Sequence, residues 1–387
     1  MNQKTRALVS AYAEECYEEE LELLRTLARI PAPSGHEERR AEFIRDWWLT
    51  QGAPVGAVRV DDAKNVILSL PAGPHAESDD GIVVFAAHTD VVFPDTEPLP
   101  LAESETRLLA PGVGDDTANL VGVMLAGRYL LRHHVPLDRP MLVVANSCEE
   151  GLGNLAGTRE LFSHYAGRVK EFTSFDLYLG MHVVSAVGSH RWKVTCHTQG
   201  GHSWEDFGRD NAIEALCSFI EDLYALDLPK EAKTTINVGR FVGGTTVNSI
   251  AEEASVLVEY RSASEECLEQ MYGKFVVLVE EHLKEKTRID VRLIGRRPAS
   301  GERVPEGQAG LIARTDEILR ELGGVDRIIH QESSTDANIP FSLGIPAHTV
   351  GAVEGDLLHT REEWIEKESL RRGLAVILAL MLEHARP

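Results

Sequence analysis

Acids and histidines stand where short apolar runs of this chain end: His88, Asp115, Glu149, Glu150, Asp176 and His359. Mixed imidazole and carboxylate ligands suit zinc, with cobalt or manganese as alternatives. Five ligands plus a spare carboxylate are what a two-metal hydrolase requires. One carboxylate bridges, each metal gains its own His and acid, and the spare acts as base on the attacking water. Asp90 lies two residues beyond His88, on the same face of an extended chain. It could take the other ring N–H of His88 and fix the tautomer that binds a metal. His-x-Asp is weak alone; the acids at the other strand ends give it weight.

The elements that must hold these residues are legible from their pattern. Ile82 to Ala87 is an unbroken apolar run leading into His88, Thr89 and Asp90. Such a run reads as a strand buried on both faces, as in a parallel sheet covered by helices. Sheets of this kind place ligands outside the carboxyl ends of their strands. Pro140 to Ala145 is a second such strand, running into Asn146 and then Glu149 and Glu150. Two adjacent carboxylates closing a buried strand are costly unless something cationic meets them. Between these strands, Gly112 and Gly114 form a tight turn ahead of Asp115 and Asp116, and Thr117 to His133 has helical spacing. A helix N-cap needs only one of the two acids. A third strand near Phe175 to Gly180 carries Asp176. Strand, helix, strand, helix, strand over 81–182 is an α/β pattern.

The flanks complete the domain. Residues 5–29 are helical, with Leu8, Tyr12, Leu21, Leu24 and Leu27 on the apolar side. Ser34 and Glu37 match a capping box for a helix running to Thr50. Val58 to Val60 and Asn65 to Leu70 read as strands, and 71–80 as a polar loop. Near Val187 the texture changes to strands with more polar faces, at Trp192 to His197, Thr234 to Val242, Glu253 to Tyr260 and Arg288 to Ile294. Helices are expected over 210–226 and 265–285. That order is a ferredoxin-like split βαβ unit. We read 187–298 as an inserted domain, and 1–186 with 299–387 as the first domain. There 309–322 is a helix, Pro346 to Val350 a strand and 367–384 a final helix.

Composition narrows the classes. A chain of 387 residues exceeds one ordinary core, so two domains are expected. Hydrophobic content of 43% and charged content of 26% suit a soluble globular protein. A net charge of −22 opposes nucleic acid and anionic membranes. Met1 to Arg29 has no apolar core segment and is rich in Glu, so it does not read as a signal peptide. The apolar run Leu374 to Leu382 is too short to span a bilayer. Five scattered cysteines without Cys-x-x-Cys fit a reducing cytoplasm and argue against a thiolate zinc site.

Taken together, the motifs resemble the di-zinc peptidase and deacylase family. That family includes peptidase T, acetylornithine deacetylase, succinyl-diaminopimelate desuccinylase and the carboxypeptidase G type enzymes. The matching motifs are His88-Thr89-Asp90, Gly114-Asp115-Asp116, Glu149-Glu150-Gly151, Gly200-Gly201-His202-Ser203 and the late His359. Their order and spacing cover essentially the whole chain. Val187 to Arg191, Gly201 to Gly208 and Gly243 to Ile250 look most like peptidase-T-like members. The resemblance implies the zinc-dependent exopeptidase fold, a mostly parallel sheet flanked by helices with an inserted lid or dimerisation domain. It implies two zinc ions, with His88 a ligand oriented by Asp90, Asp115 bridging, Glu149 the general base, and Glu150, Asp176 and His359 terminal ligands. His182 is an alternative to Asp176. A cis peptide between Asp115 and Asp116 is implied as well.

Outside the metals, His202 resembles the lid-domain histidine that steadies the tetrahedral oxyanion. Asn248 and Arg261 resemble groups that bind the substrate carbonyl or carboxylate, although a turn former and a surface salt bridge are the plain alternatives. The implied activity is hydrolysis of small peptides; the alternative is N-acyl-amino-acid deacylation of the acetylornithine type. His202 stands apart from the other candidates, so lid closure or a partner subunit must bring it to the metals. A homodimer through the inserted domain is the expected assembly. The loop Ser333 to Asn338 resembles one near the site and receives no role. His133, His134, His164, His197 and His330 match no motif and read as surface histidines. Trp47 and Trp48 read as packing.

Overall fold

The computed structural model describes residues 1–74, 81–282, 288–301 and 304–386. The loop expected over 71–80 and the end of the helix expected over 265–285 lie partly outside these residues. The chain divides into two compact units, Met1–Ser185 with Arg303–Pro387, and Ala186–Glu302.

The first unit is built on an eight-stranded sheet. Its order is Val58–Val60, Val66–Leu70, Met141–Asn146, Ile82–His88, Val169–Leu179, Ala347–Gly351, Met181–Ala186 and Ile329–Ser333. The four strands from Met141–Asn146 to Ala347–Gly351 run parallel. Ile82–His88 and Met141–Asn146 are buried at every residue, as their apolar runs require. Alternate residues sort to opposite faces. Val83, Phe85, Ala87, Met141, Val143 and Ala145 belong to one core with the helices Gln3–Arg29, Asn119–Arg132 and Ser369–Leu382.

That core corrects one detail of the first helix. Val9 is buried there and Leu8 is 40% exposed, so the apolar stripe starts one residue later than its spacing suggests. The capping box is also absent. The helix Glu38–Thr50 follows Glu37, which makes no side-chain cap. Ser34 Oγ instead donates to Asp90 Oδ2 at 2.6 Å, and Glu37 Oε1 accepts from the Gly35 and Cys148 N–H groups at 2.8 and 3.1 Å. Asp90 and Glu37 are both buried and must find donors, a demand that outweighs an N-cap available to water.

Trp48 is among the largest side chains with essentially no exposure, as expected of a packing residue. It lies so close to the helix Asn119–Arg132 that a Cβ on Gly127 would sit 2.9 Å from its Cη2. Trp48→Ala should therefore destabilise this unit by about 3–5 kcal/mol. The readout is a lower urea midpoint at unchanged slope. An unmoved midpoint would contradict the packing role.

A ribbon not foreseen from the sequence joins distant segments. Gly355–Asp356, Trp364–Glu366, Arg107–Leu109 and Ala102–Glu103 form a four-stranded antiparallel sheet. The loop carrying His359 connects its first two strands.

The second unit has the strand order Thr234–Gly243, Glu253–Ser262, Gly188–His197, Arg288–Arg297, antiparallel throughout. The helices Ala212–Ala225 and Glu265–His282 share its core, through Leu216, Phe219, Met271 and Phe275 with Val194, Val256 and Val258. This is the split βαβ arrangement expected of the inserted segment. A two-residue ribbon pairs Gly201–His202 with Ser249–Ile250.

Candidate metal centre

The chain leaves Ile82–His88 for a neighbour on one side, Met141–Asn146, and then returns to the neighbour on the other side, Val169–Leu179. Where connections diverge in this way, the carboxyl ends of the strands open a crevice. Ala87 is level with Phe175, and His88 with Asn146. His88, Asp176 and the segment leading to Glu149 and Glu150 therefore emerge together.

Asp115 arrives from the turn before helix Asn119–Arg132. Gly112 has φ +70, and a Cβ there would fall 2.3 Å from Val91 Cγ1, so the turn needs glycine. The Asp115–Asp116 peptide is cis, as the resemblance implied. Asp115 stands between the two imidazoles, with Oδ1 2.8 Å from His88 Nε2 and Oδ2 3.0 Å from His359 Nε2. His359 Nε2 is also 3.3 Å from Glu150 Oε1, and His88 Nε2 is 4.0 Å from Asp176 Oδ1. Ligand atoms of His88, Asp115 and Glu150 lie within 4.8 Å of one another, as do those of His88, Asp116 and Asp176. The alternative, His182, has its ring nitrogens on Asp316 and His348, both at 2.9 Å.

Asp90 organises the rim. Its Oδ1 accepts the Glu149 N–H at 3.0 Å and its Oδ2 the Glu150 N–H at 2.9 Å. The other nitrogen of His88, Nδ1, is 3.0 Å from the Asp90 carbonyl and 3.5 Å from its Oδ1. An Nδ1–H donated there would leave Nε2 to give its lone pair to a metal. Without one, Nε2–H donates to Asp115, and although burial opposes the charge, Asp116, Asp115 and Asp90 hold the His88 imidazole well above its ordinary range.

The electrostatics are unbalanced toward negative charge. Burial and the charge of Asp115 push Glu150 up to about 8, and the same two causes hold Asp176 well above the usual carboxylate range. Burial opposes ionisation of Asp115, yet His359 and His88 keep it below that range. Hydrogen bonds to Asp115 and Glu150 push His359 up to about 11. Glu150 Oε1 is met only by the ion pair with His359, and buried Asp176 Oδ1 has no hydrogen-bond partner among the described residues. Two histidines, several buried carboxylates and an unpartnered carboxylate oxygen on Asp176 fit divalent cations of the zinc class.

Three contributors escaped the sequence reading. Asp116, the second acid of the turn, accepts the His88 backbone N–H at 2.8 Å and the Asn119 Nδ2–H at 2.7 Å. It braces the strand end. Glu363 accepts the N–H groups of Gly112, Gly114 and Asp115, each at 2.8 Å. It ties the Asp115 turn to the segment that follows His359. Asp336 accepts from Asn146 Nδ2 at 2.7 Å and from Thr158 Oγ1, and burial with the charge of Glu149 pushes it up to about 7. Only the doubled Asp115-Asp116 and the loop around Asp336 gave any sequence signal.

The other candidates belong to the second unit. His202 is exposed, and its Nδ1 accepts from the Trp204 and Glu205 N–H groups, both at 3.3 Å. In the neutral ring that puts the proton on Nε2, a donor. Asn248 is joined to the same ribbon, its carbonyl accepting the Ser203 N–H at 3.1 Å and its Oδ1 the Thr246 hydroxyl at 2.7 Å. Arg261 forks onto Glu259, Nε to Oε1 at 2.6 Å and Nη2 to Oε2 at 3.1 Å. A substrate carboxylate there would compete with Glu259.

Comparison with known proteins agrees with this architecture. The chain is 24% identical over 387 residues to the uncharacterized protein YqjE of Bacillus subtilis (strain 168), covering 95% of this chain and 98% of that one. It is 25% identical to a succinyl-diaminopimelate desuccinylase of Corynebacterium glutamicum, over 93% of this chain and 95% of the relative. A tripeptidase structure from Staphylococcus aureus superposes with a TM-score of 0.74 at 20% identity, covering 96% of this chain and 99% of the other. The model of the peptidase family M20/M25/M40 matches residues 84–383, and with the sheet, the inserted α+β unit and the His-carboxylate cluster in place, the chain belongs to this family of metallopeptidases and amidohydrolases.

Proposed function

We propose that this protein hydrolyses amide bonds in small peptides, as a peptidase-T-like exopeptidase, with two zinc ions held by His88, Asp115, Glu150, Asp176 and His359. Cobalt or manganese could substitute. The observation that carries the reading is the meeting of two imidazoles and several buried carboxylates, with Asp176 Oδ1 unpartnered among the described residues, at the sheet's carboxyl ends. Bound there, such ions polarise a carbonyl and acidify water. The protein's own groups do the rest. Asp90 fixes the ring of His88. Glu149 accepts the proton of the attacking water and delivers it to the leaving amine. His202 donates Nε2–H to the developing oxyanion. Asn248 and Arg261 hold the carbonyl or carboxylate of the substrate. The inserted unit serves as lid and as the surface of a homodimer. No helix among the described residues is long and apolar enough to cross a membrane. The five cysteines are free, which suits work in a reducing cytoplasm.

A second reading, N-acyl-amino-acid deacylation, is favoured by the desuccinylase relative. The two differ in what flanks the amide. Zinc- or cobalt-loaded protein should release free amino acids from tripeptides and dipeptides faster than from N-acetyl or N-succinyl amino acids. The reverse order would install the deacylase reading. No turnover of either class would overturn both.

Metal uptake should be linked to protons. At neutral pH the chelated protein holds a proton on His359 (about 11) and on Glu150 (about 8). An entering cation must displace both. Zinc binding should therefore release protons and tighten as pH rises through 8 toward 11. Calorimetric titration in buffers of different ionisation enthalpy counts them; a count of zero would contradict these ligands.

A further inference from the structure

We propose that the first unit carries an additional zinc-class site, outside the candidate metal centre, formed by His182, Asp316 and His330. These residues come from three elements: the strand Met181–Ala186, the helix Gln308–Glu321 and the strand Ile329–Ser333. His182 Nδ1 lies 2.9 Å from Asp316 Oδ1, and His330 Nε2 lies 3.1 and 3.0 Å from Asp316 Oδ1 and Oδ2. One ligand atom from each residue lies within 4.8 Å of the other two. Tetrahedral bonds of about 2.0–2.1 Å set neighbouring ligand atoms about 3.3 Å apart, so small adjustments suffice. Two imidazoles and one carboxylate, with a fourth position left to water, form a common zinc donor set. His182 is buried and His330 is 45% exposed, which gives an anchored ligand and an entry path.

A second layer is already built. A metal on His182 Nδ1 requires its proton on Nε2, and that nitrogen is 2.9 Å from His348 Nδ1. His348 then carries its own proton on Nε2, 2.8 Å from Thr173 Oγ1, which can accept it. Each ring changes tautomer, and of the contacts of these two rings only the His182 Nδ1 hydrogen bond to Asp316 gives way, to the metal that both would then bind. A metal-bound imidazole wants such a partner on its other nitrogen. The competing cation is Arg320, 3.5 Å from Asp316 Oδ2, but its side chain is 57% exposed and can turn into water.

The site would act as a clip. Ile329–Ser333 is the last strand of the eight-stranded sheet, beside Met181–Ala186. A shared ion would fasten this edge to its neighbour and to the covering helix, restraining an edge that otherwise offers unpaired backbone groups.

The test uses the whole protein equilibrated with buffered zinc, with metal content measured by mass spectrometry. Wild type should bind about one equivalent more than His330→Ala, and Asp316→Asn should reproduce the loss. The surface position of His330 makes its variant the safer one to fold. Equal metal content in wild type and His330→Ala overturns the proposal. The double variant His88→Ala with Asp115→Asn keeps the two sites apart. If it loses about two equivalents and keeps the one that His330→Ala removes, the clip is independent of the main centre. If it loses none while His330→Ala still loses one, the main centre is wrong and the clip stands. Cobalt substitution adds a readout that does not depend on turnover, because the visible band lost in His330→Ala should persist in the double variant.

Discussion

Glu149→Gln is expected to lower turnover by about 10²–10⁴-fold while the protein keeps its fold and its metal. Glu149 is almost buried, and its backbone N–H is fixed by Asp90 Oδ1 at 3.0 Å. Its neighbour Glu150 faces His359, and under the proposed function the two adjacent acids would divide the work between proton transfer and metal holding. Glutamine preserves the shape and the capacity to hydrogen-bond, and removes only the ability to take a proton at working pH. The loss should fall on kcat rather than KM, because the group acts in the transition state. Metal content and the circular dichroism spectrum should match wild type. Near-normal turnover with the full metal complement would move the base to another residue, and buried Asp336, pushed up to about 7, is the first to examine.

How far the sequence reaches into such a site depends on what each residue's signal is made of. Ile82 to Ala87 and Met141 to Ala145 announce buried strands because a strand covered on both faces has nowhere to put a polar residue. The acids that follow them are conspicuous for the same reason. His359 follows only the two apolar residues Leu357 and Leu358, so its local signal is slight, and its role as a ligand was implied only by the family resemblance. Glu363 is silent, and the doubled acid at Asp116 names no distant partner, for a different reason. Their distant partners are backbone N–H groups, 28 residues away for Asp116 and about 250 away for Glu363. Any residue but proline offers such a donor, so no pairing of residue types betrays it. Ser34 and Glu37 misled because the capping box is a local rule, and here buried Asp90 and the Cys148 N–H claim both side chains. Of the second unit, the alternation of polar and apolar residues was legible. The local setting of His202 was not, because its Nδ1 is fixed by the turn it starts.

Asp115→Asn should cost more than the loss of the base, because it removes the residue that joins the two imidazoles. Asp115 has one oxygen 2.8 Å from His88 and the other 3.0 Å from His359. Asparagine is neutral, keeps one oxygen and turns an NH2 toward one of the rings, so both positions lose the anionic charge and one also loses its ligand atom. The expected result is at least one ion fewer per chain and turnover lower by at least about 10³-fold, since a metal's charge stabilisation is worth several kcal/mol at the reacting carbonyl. The main-chain contacts of the turn do not use the Asp115 side chain. Glu363 still accepts the Gly112, Gly114 and Asp115 N–H groups, so the fold should survive. The substitution also has a signature in the metal-free protein. Asp115 is the first cause of the high pKa of His359, about 11, so in the variant that value should fall toward the ordinary imidazole range. Proton NMR titration of the chelated proteins would follow it. Metal content separates this variant from Glu149→Gln, which should lose activity and keep its ions. If Asp115→Asn retained both ions and near-normal turnover, the carboxylate between the histidines would not be the group that joins the metal positions.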